Sequence, residues 1–324
     1  MSMTNKEKNT NVIEFFNHHK PVLIDDIITF INKVSDCDNR CIFFDGTFGG
    51  GGYTRQLLNL GRVFSCDSDQ NAVDRGVEMF SEELKCRSLE LKNKRFDNYI
   101  KEFEDEYFDF VVADLGFSSN QLSQSDRGFS YKNLSQSLDL RYDSESGRPC
   151  WKLLYGVKTV DNLRKVIYTY SGEEYSKRIA QTLFDLIKSK EFGAELTVGE
   201  VVNAVKSAIP DRHKKHSNAI LSRVWQALRI WTNDEFEVLN EFLNTSIHKV
   251  KHNGYIMIVC FHSLEDKIVT KFMRSAARPI EMDDFGNKEQ FYDIITKKPI
   301  VPSTTEIEQN VRSRSATLRI LKKI

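Results

Sequence analysis

Short apolar runs, each closing on a turn, recur along the first third of the chain. Cys41 to Phe44, "RVFSCD" (62 to 67), "SLEL" (88 to 91) and "FDFVVADLG" (108 to 116) are followed, after a long interval, by "GYIMIVCFHS" (254 to 263). Runs of this length without alternation predict strands buried on both faces. Helical spacing lies between them. In "PVLIDDIITFINKV" (21 to 34), Leu23, Ile27, Phe30 or Ile31 and Val34 share a face behind Pro21, a residue that suits a helix start. Further helical stretches open at Thr54 and Gln70. A βαβαβ rhythm predicts an α/β fold with a doubly wound, mostly parallel sheet and helices on both faces.

Strands four and five are separated by about 140 residues, far more than one crossover needs. This interval has helical faces of its own: Ile179, Leu183, Leu186 and Ile187 in one stretch, and Ile220, Val224, Leu228 and Trp231 in another. The expected organisation is a discontinuous main domain, 1–129 and 217–324, carrying a helical insertion at 130–216. The helix from Ser217 is assigned to the main domain.

Composition narrows the picture only a little. The 324 residues carry 46 basic and 46 acidic side chains, so net charge does not favour nucleic acid. Distribution says more: "RSRSATLRILKK" (312 to 323) and "RHKK" (212 to 215) are local basic clusters on a neutral chain. No apolar run reaches the length of a membrane span. The first twenty residues have neither an apolar signal core nor an arginine. Cys37 and Cys41 are the only close pair among six cysteines, and no nearby histidine completes a metal site. A cytoplasmic protein with reduced thiols and no metal is expected.

Candidate chemistry starts at "FFDGTFGGGGYTRQLL" (43 to 58), a strand, four consecutive glycines and a helix. That plan brings backbone N–H groups to a ligand pocket. No lysine follows the glycines as in a P-loop, and no register supplies G-x-G-x-x-G. Three strands instead end in aspartate: Asp45, Asp67 and Asp114. Three carboxylates would repel a pyrophosphate but suit a ligand with positive charge and ribose hydroxyls. S-adenosylmethionine (SAM) offers a sulfonium, an ammonium and a ribose diol, and Asp67 is placed to accept from the ribose. One of the three aspartates can equally be only a helix cap. The glycines are expected to let backbone approach the methionine end of the cofactor.

The stretch "ADLGFSSNQL" (113 to 122) suggests the methyl acceptor. An exocyclic amine on a nucleobase is a poor nucleophile because its lone pair is delocalised into the ring. A site for it must accept N–H hydrogen bonds and hold the nitrogen in line with the methyl group. Asp114 and the carbonyls of the Leu115 to Phe117 turn suit that task, and the base must be unpaired or flipped to enter.

These blocks, with "HKPVLIDDI", "DSDQNAV", "DLGFSSNQLSQSDRGFSY", "SLDLRYD", "SGEEYSKRIAQ", "QALRIWTNDEFEVL", "FHSLEDKIV" and "NVRSRSATLR", closely resemble the bacterial RsmH (MraW) family from about His19 to Arg319. That family methylates N4 of a cytidine in the decoding region of small-subunit ribosomal RNA. The resemblance implies a SAM-dependent Rossmann-like methyltransferase whose inserted domain helps recognise RNA. Position by position, Gly51, Gly52 and Tyr53 match the SAM loop, Asp67 the ribose-binding acid and Phe96 an aromatic position near the adenine. Asp114 and Gln121 match two further cofactor-side positions. Tyr53 stands where many relatives have histidine, Val311 and Ser137 replace prolines, and Leu140 and Tyr142 replace methionines. None of these removes a charge the chemistry needs.

The remaining candidates face the RNA. Arg127 and Arg141 sit among apolar and aromatic residues, and Gln226 and Arg229 lie three apart on one helical face, either lining the RNA side of the cleft or forming a buried polar network. His262 stands at the mouth of strand five, as a positioning or a structural residue. Arg312, Arg314 and Arg319 form a terminal group. The expected partner is small-subunit ribosomal RNA within an assembling or assembled subunit. Two rival readings stay open: methylation of another exocyclic amine, and a catalytically silent SAM- or RNA-binding protein.

Overall fold

The computed structural model describes residues 21–35, 37, 40–116, 126–281 and 288–324. Two compact units emerge, Met1–Gly116 with Val238–Ile324, and Phe117–Glu237.

In the first unit the apolar runs become β1 (Cys41–Asp45), β2 (Gly61–Asp67), β3 (Leu89–Asn93), β4 (Phe108–Asp114) and β5 (Val250–Cys260). All of these pair in parallel. Side chains alternate between the faces of a strand, and here both faces are covered. Phe43, Val63, Val112 and Met257 enter one apolar core, while Phe44, Phe64, Val111 and Ile258 enter the other. Burying a side chain of this size stabilises the fold by about 1.5–3 kcal/mol, so each run is pinned from two sides.

Nine helices are used below: α1 (Ile24–Val34), α2 (Gly52–Leu57), α3 (Gln70–Met79), α4 (Val160–Ser171), α5 (Ser176–Ser189), α6 (Val198–Ala208), α7 (Ser217–Asn233), α8 (Glu235–Lys249) and α9 (Ser263–Ala276). Helix α1 buries Ile24, Ile27 and Ile31 in the first core. Leu57 of α2 and Ala72 of α3 join it there. Leu239 and Phe242 of α8 and Val269 and Met273 of α9 cover the opposite face. The sheet is therefore doubly wound.

The carboxyl end departs from its reading as a basic run. After a short antiparallel pair, β6 (Ile280–Glu281) with β7 (Lys288–Glu289), the chain adds β8 (Tyr292–Ile294) and β9 (Thr317–Lys323) to the main sheet. Strand β9 lies antiparallel between β5 and β8, giving the order β3-β2-β1-β4-β5-β9-β8. Leu318, Ile320 and Leu321 are buried, and their apolar contacts outweigh the basic Arg319, Lys322 and Lys323 around them.

The second unit is helical. Ile167 of α4, Ile179 and Leu183 of α5, Val201 and Val205 of α6, and Ile220, Val224 and Leu228 of α7 share one core. This corrects the expected boundary at 217. The apolar face of α7 packs on the inserted helices, so the insertion extends to Glu237. A second correction concerns the thiols. Cys37 and Cys41, the first residue of β1, are disulfide-bonded, their Cα atoms 5.1 Å apart, within the range a bridge requires. Cys66, Cys86, Cys150 and Cys260 are free. Among the described residues no helix is long and apolar enough to cross a membrane.

Candidate active site

The carboxyl ends of β1, β2 and β4 lie side by side, because the parallel registers place Asp45 opposite Ser65 and opposite Val112. The turn after β1 is tied to both neighbours. Gly46 N donates to the Val112 carbonyl and Phe48 N to the Cys66 carbonyl, each at 2.9 Å. Gly49 N donates to Asp67 Oδ2 at 2.8 Å, and Asp69 N to Asp67 Oδ1 at 2.8 Å. Each oxygen of Asp67 thus receives one amide and keeps lone pairs for further donors. Burial pushes this carboxyl up to about 6, against the pull of those two amides.

The three aspartates have different surroundings. Asp45 is fully buried and spent on the turn itself. Its carboxylate accepts from Thr54 Oγ1 at 2.6 Å and from Thr47 N at 3.1 Å. Asp114 is half-buried at the end of β4, and its Oδ1 is buried with no hydrogen-bond partner among the described residues. Burial holds the Asp114 carboxyl well above the usual carboxylate range, and the nearby charges of Asp45 and Glu265 push in the same direction. A buried acceptor without a donor is costly unless something supplies the donor.

The glycines answer a different demand from the expected one. A Cβ on Gly51, whose φ is +77°, would stand 2.7 Å from the Phe80 ring and 2.9 Å from Phe48. At Gly52 it would meet Pro21 at 2.3 Å. Close packing inside the fold therefore requires these two. At Gly50 a Cβ would meet nothing within 4 Å, leaving that stretch of backbone open. Tyr53 is buried, and its hydroxyl donates to the Val22 carbonyl, so its side chain serves the core. Phe96 is half-buried, packed edge-on against Phe242 and 3.2 Å from the position a Gly46 Cβ would take. Lys94 N donates to the Asp67 carbonyl, which holds the approach to Phe96 beside the end of β2. Gly51, Gly52, Tyr53, Asp67, Phe96 and Asp114 thus gather around one turn, while Gln121 and Phe117 lie outside the described residues.

The chemistry of this donor set fits SAM. Asp67 retains acceptor capacity for a ribose diol, Phe96 offers an aromatic surface, and the orphaned Asp114 oxygen calls for an N–H donor. Thr47 escaped the sequence reading, and Glu265 contributes beside it. Thr47 Oγ1 accepts from Asp114 N at 2.7 Å, linking the turn to the end of β4. Glu265 Oε2 accepts from Phe261 N at 2.8 Å and from His262 N at 3.3 Å, fixing the mouth of β5. The sequence signal for Thr47 was its place between Asp45 and the glycines.

The RNA-facing candidates are scattered, and several have their donors taken by the chain. His262 caps α9: its Nδ1 accepts from Glu265 N at 3.3 Å, completing a capping box. In the inserted unit Arg127 Nη1 donates to the Tyr142 carbonyl at 2.7 Å, and Arg141 grips Asp139 with two bonds of 2.7 Å. Arg229 forms a two-bond pair with Glu235 at 2.8 and 3.0 Å, and Gln226 donates to the Tyr170 carbonyl at 3.2 Å. These four stitch the inserted unit together. At the carboxyl end Arg319 is bound by both oxygens of Asp266, whereas Arg312 and Arg314 are exposed.

Comparison with known proteins agrees in direction. A protein named ribosomal RNA small subunit methyltransferase H from Oenococcus oeni is 36% identical over 297 residues, covering 87% of this chain and 92% of the relative. Its namesake in Clostridioides difficile is 34% identical over 322 residues, covering 95% of this chain and 99% of the relative. A solved structure described as a putative rRNA methylase from Clostridium thermocellum aligns with a TM-score of 0.44 at 11% identity, covering 94% of this chain and 100% of that one. The model of the MraW methylase family matches residues 16–324, and the chain belongs to that family.

Proposed function

We propose that the protein methylates N4 of a cytidine in small-subunit ribosomal RNA, with SAM as methyl donor. The observation that carries the reading is the buried Oδ1 of Asp114, without a hydrogen-bond partner among the described residues, at the end of a parallel strand beside the Asp67 turn. The relatives' names supply the RNA.

Bound SAM supplies an electrophilic methyl group on a sulfonium. Everything else falls to the chain. Asp67 accepts from the ribose hydroxyls, Phe96 packs near the adenine, and the open backbone at Gly50 leaves room at the turn. Asp114 Oδ1 accepts an N–H of the cytosine amine, which draws the nitrogen lone pair out of conjugation and aims it at the methyl group. Its raised proton affinity would suit it to take the proton that the amine nitrogen loses when its new C–N bond replaces the methyl–sulfonium bond. In this reading Arg312, Arg314 and the basic turn Asp211–His216 meet phosphate, and Arg127, Arg141, Gln226 and Arg229 shape the inserted unit that supports recognition. With so neutral a chain, binding is weak on bare RNA, and the substrate is a partly assembled cytoplasmic subunit.

The test is transfer of labelled methyl from SAM to purified small ribosomal subunits, followed by nucleoside analysis, for wild type and Asp114→Ala. Label in N4-methylcytidine that disappears in the variant supports the reading. Label in another nucleoside overturns the substrate.

A further inference from the structure

On the first unit, between α9 and the β8–β9 edge of the sheet, lies a cavity of about 360 Å³. It is large enough for a small ligand. Its chemistry is two-sided. Arg274 and Lys297 line it, both exposed and without an ion-pair or hydrogen-bond partner among the described residues. Arg319 lines it too, but Asp266 neutralises that charge with bonds of 2.7 and 2.8 Å. Two uncompensated cations in one cavity favour an anion, and the guanidinium can bind phosphate through two N–H groups at once.

Two hydroxyls point to the same ligand class. Thr270 Oγ1 is buried and has no hydrogen-bond partner among the described residues, a cost that a polar ligand atom would remove. Thr296 is buried, and its oxygen accepts from Ile320 N at 2.9 Å, which leaves its O–H available to donate. The single carboxylate, Asp293, would oppose a bare anion but accepts from a hydroxyl or an amine. Met273 and Ile294 supply an apolar surface between these polar groups. An anionic end, a donor end and an apolar middle describe a ribonucleotide.

We propose that this cavity binds a ribonucleotide, its phosphate on Arg274 and Lys297 and its ribose or base donors on Asp293. The site stands apart from the Asp67 and Asp114 turn and does not depend on methyl transfer. Phosphate of this kind comes either from a free nucleotide or from a nucleotide within an RNA strand.

The experiment titrates the full chain with uridine 5′-monophosphate by calorimetry and with a fluorescent twelve-nucleotide single-stranded RNA by anisotropy. Wild type is compared with the double variant Arg274→Ala, Lys297→Ala, and with Thr270→Val, which keeps side-chain shape. Asp67→Ala reports on the catalytic turn. The expected result is nucleotide binding at least tenfold weaker in the double variant, several-fold weaker in Thr270→Val and unchanged in Asp67→Ala. Weakened RNA binding with no measurable binding of the free nucleotide supports the site with RNA as its source. Nucleotide and RNA affinities that are the same in all cavity variants, or lost only in Asp67→Ala, overturn the proposal. Melting curves of Thr270→Val that match wild type keep a loss of binding distinct from a loss of fold.

Discussion

The backbone amide of Asp114 donates to the hydroxyl oxygen of Thr47 at 2.7 Å, so the last residue of one strand is held by the turn that follows another. Thr47 N in turn donates to buried Asp45 at 3.1 Å. A rigid chain therefore runs from the floor of the glycine turn to the candidate catalytic carboxylate. Replacing Thr47 with valine keeps the volume and removes the acceptor, orphaning the Asp114 amide at about 1–3 kcal/mol. Urea denaturation should record that loss, and kcat should fall more than SAM affinity, because Asp114 is displaced while Asp67 keeps both its amides.

Asp114→Asn separates charge from shape. Methyl transfer should fall by about 100-fold or more, in line with the loss of one aligned electrostatic contact. Stability should move the other way. The raised proton affinity of Asp114 gives the folded state a bonus that is full below the ordinary aspartate range and lost as pH rises through the raised value. Asparagine is free of that loss, so the variant should melt higher than wild type, by a margin that grows with pH. Melting curves across a pH series test this, and a margin that shrinks with rising pH would refute it.

Asp67 has a measurable window of its own. Its carboxyl is pushed up to about 6, so acidification through that value replaces an acceptor with a proton. SAM affinity of the wild type should drop as pH falls through about 6. Asp67→Asn should bind at least tenfold more weakly at neutral pH and lose most of that dependence. Equilibrium dialysis with labelled SAM between acid and neutral pH gives both curves.

Much of this architecture was legible in the sequence, and the reasons are physical. Strands β1, β2, β4 and β5 stood out because burial on two faces demands uninterrupted apolar runs. Asp67 and Asp114 stood out because parallel strands end together. Strand β9 was hidden: Arg319, Lys322 and Lys323 interleave with its apolar residues, and its partners lie far along the chain. Helix α7 showed its apolar face, but periodicity does not say which core receives it. The glycines drew attention for a ligand, whereas Phe48, Phe80 and Pro21 explain Gly51 and Gly52. Arg127 and Arg141 read as RNA-facing because the sequence does not show the Tyr142 carbonyl and Asp139 taking up their donors, whereas the pairing of Arg229 with Glu235 matches the buried polar network that was one of its two readings.

The Arg229–Glu235 pair should behave as a buried ion pair, since the side chains are only 10% and 11% exposed. Tyr142 also donates to Glu235 at 3.0 Å, so the carboxylate has work on both sides. Arg229→Met leaves that charge poorly compensated and should cost about 3–5 kcal/mol, while Arg229→Met with Glu235→Gln should recover part of it. Thermal unfolding of the two variants beside wild type measures the difference. Equal destabilisation in both would mean that the packing of Arg229, not its charge, matters.

Arg312 and Arg314 are exposed beside the buried Ser313, on the turn that leads into β9. Arginines that meet phosphate release counterions, so they reveal themselves through salt. On single-stranded RNA each phosphate contact contributes about 0.7 to the slope of log affinity against log salt. Replacing both with alanine should weaken binding and flatten the slope by about 1.4, equally for RNAs of different sequence. Binding to short RNAs from 50 to 300 mM salt reads the slope directly. A sequence-dependent loss would mean that these residues touch bases, and an unchanged slope would move phosphate binding to the basic turn Asp211–His216.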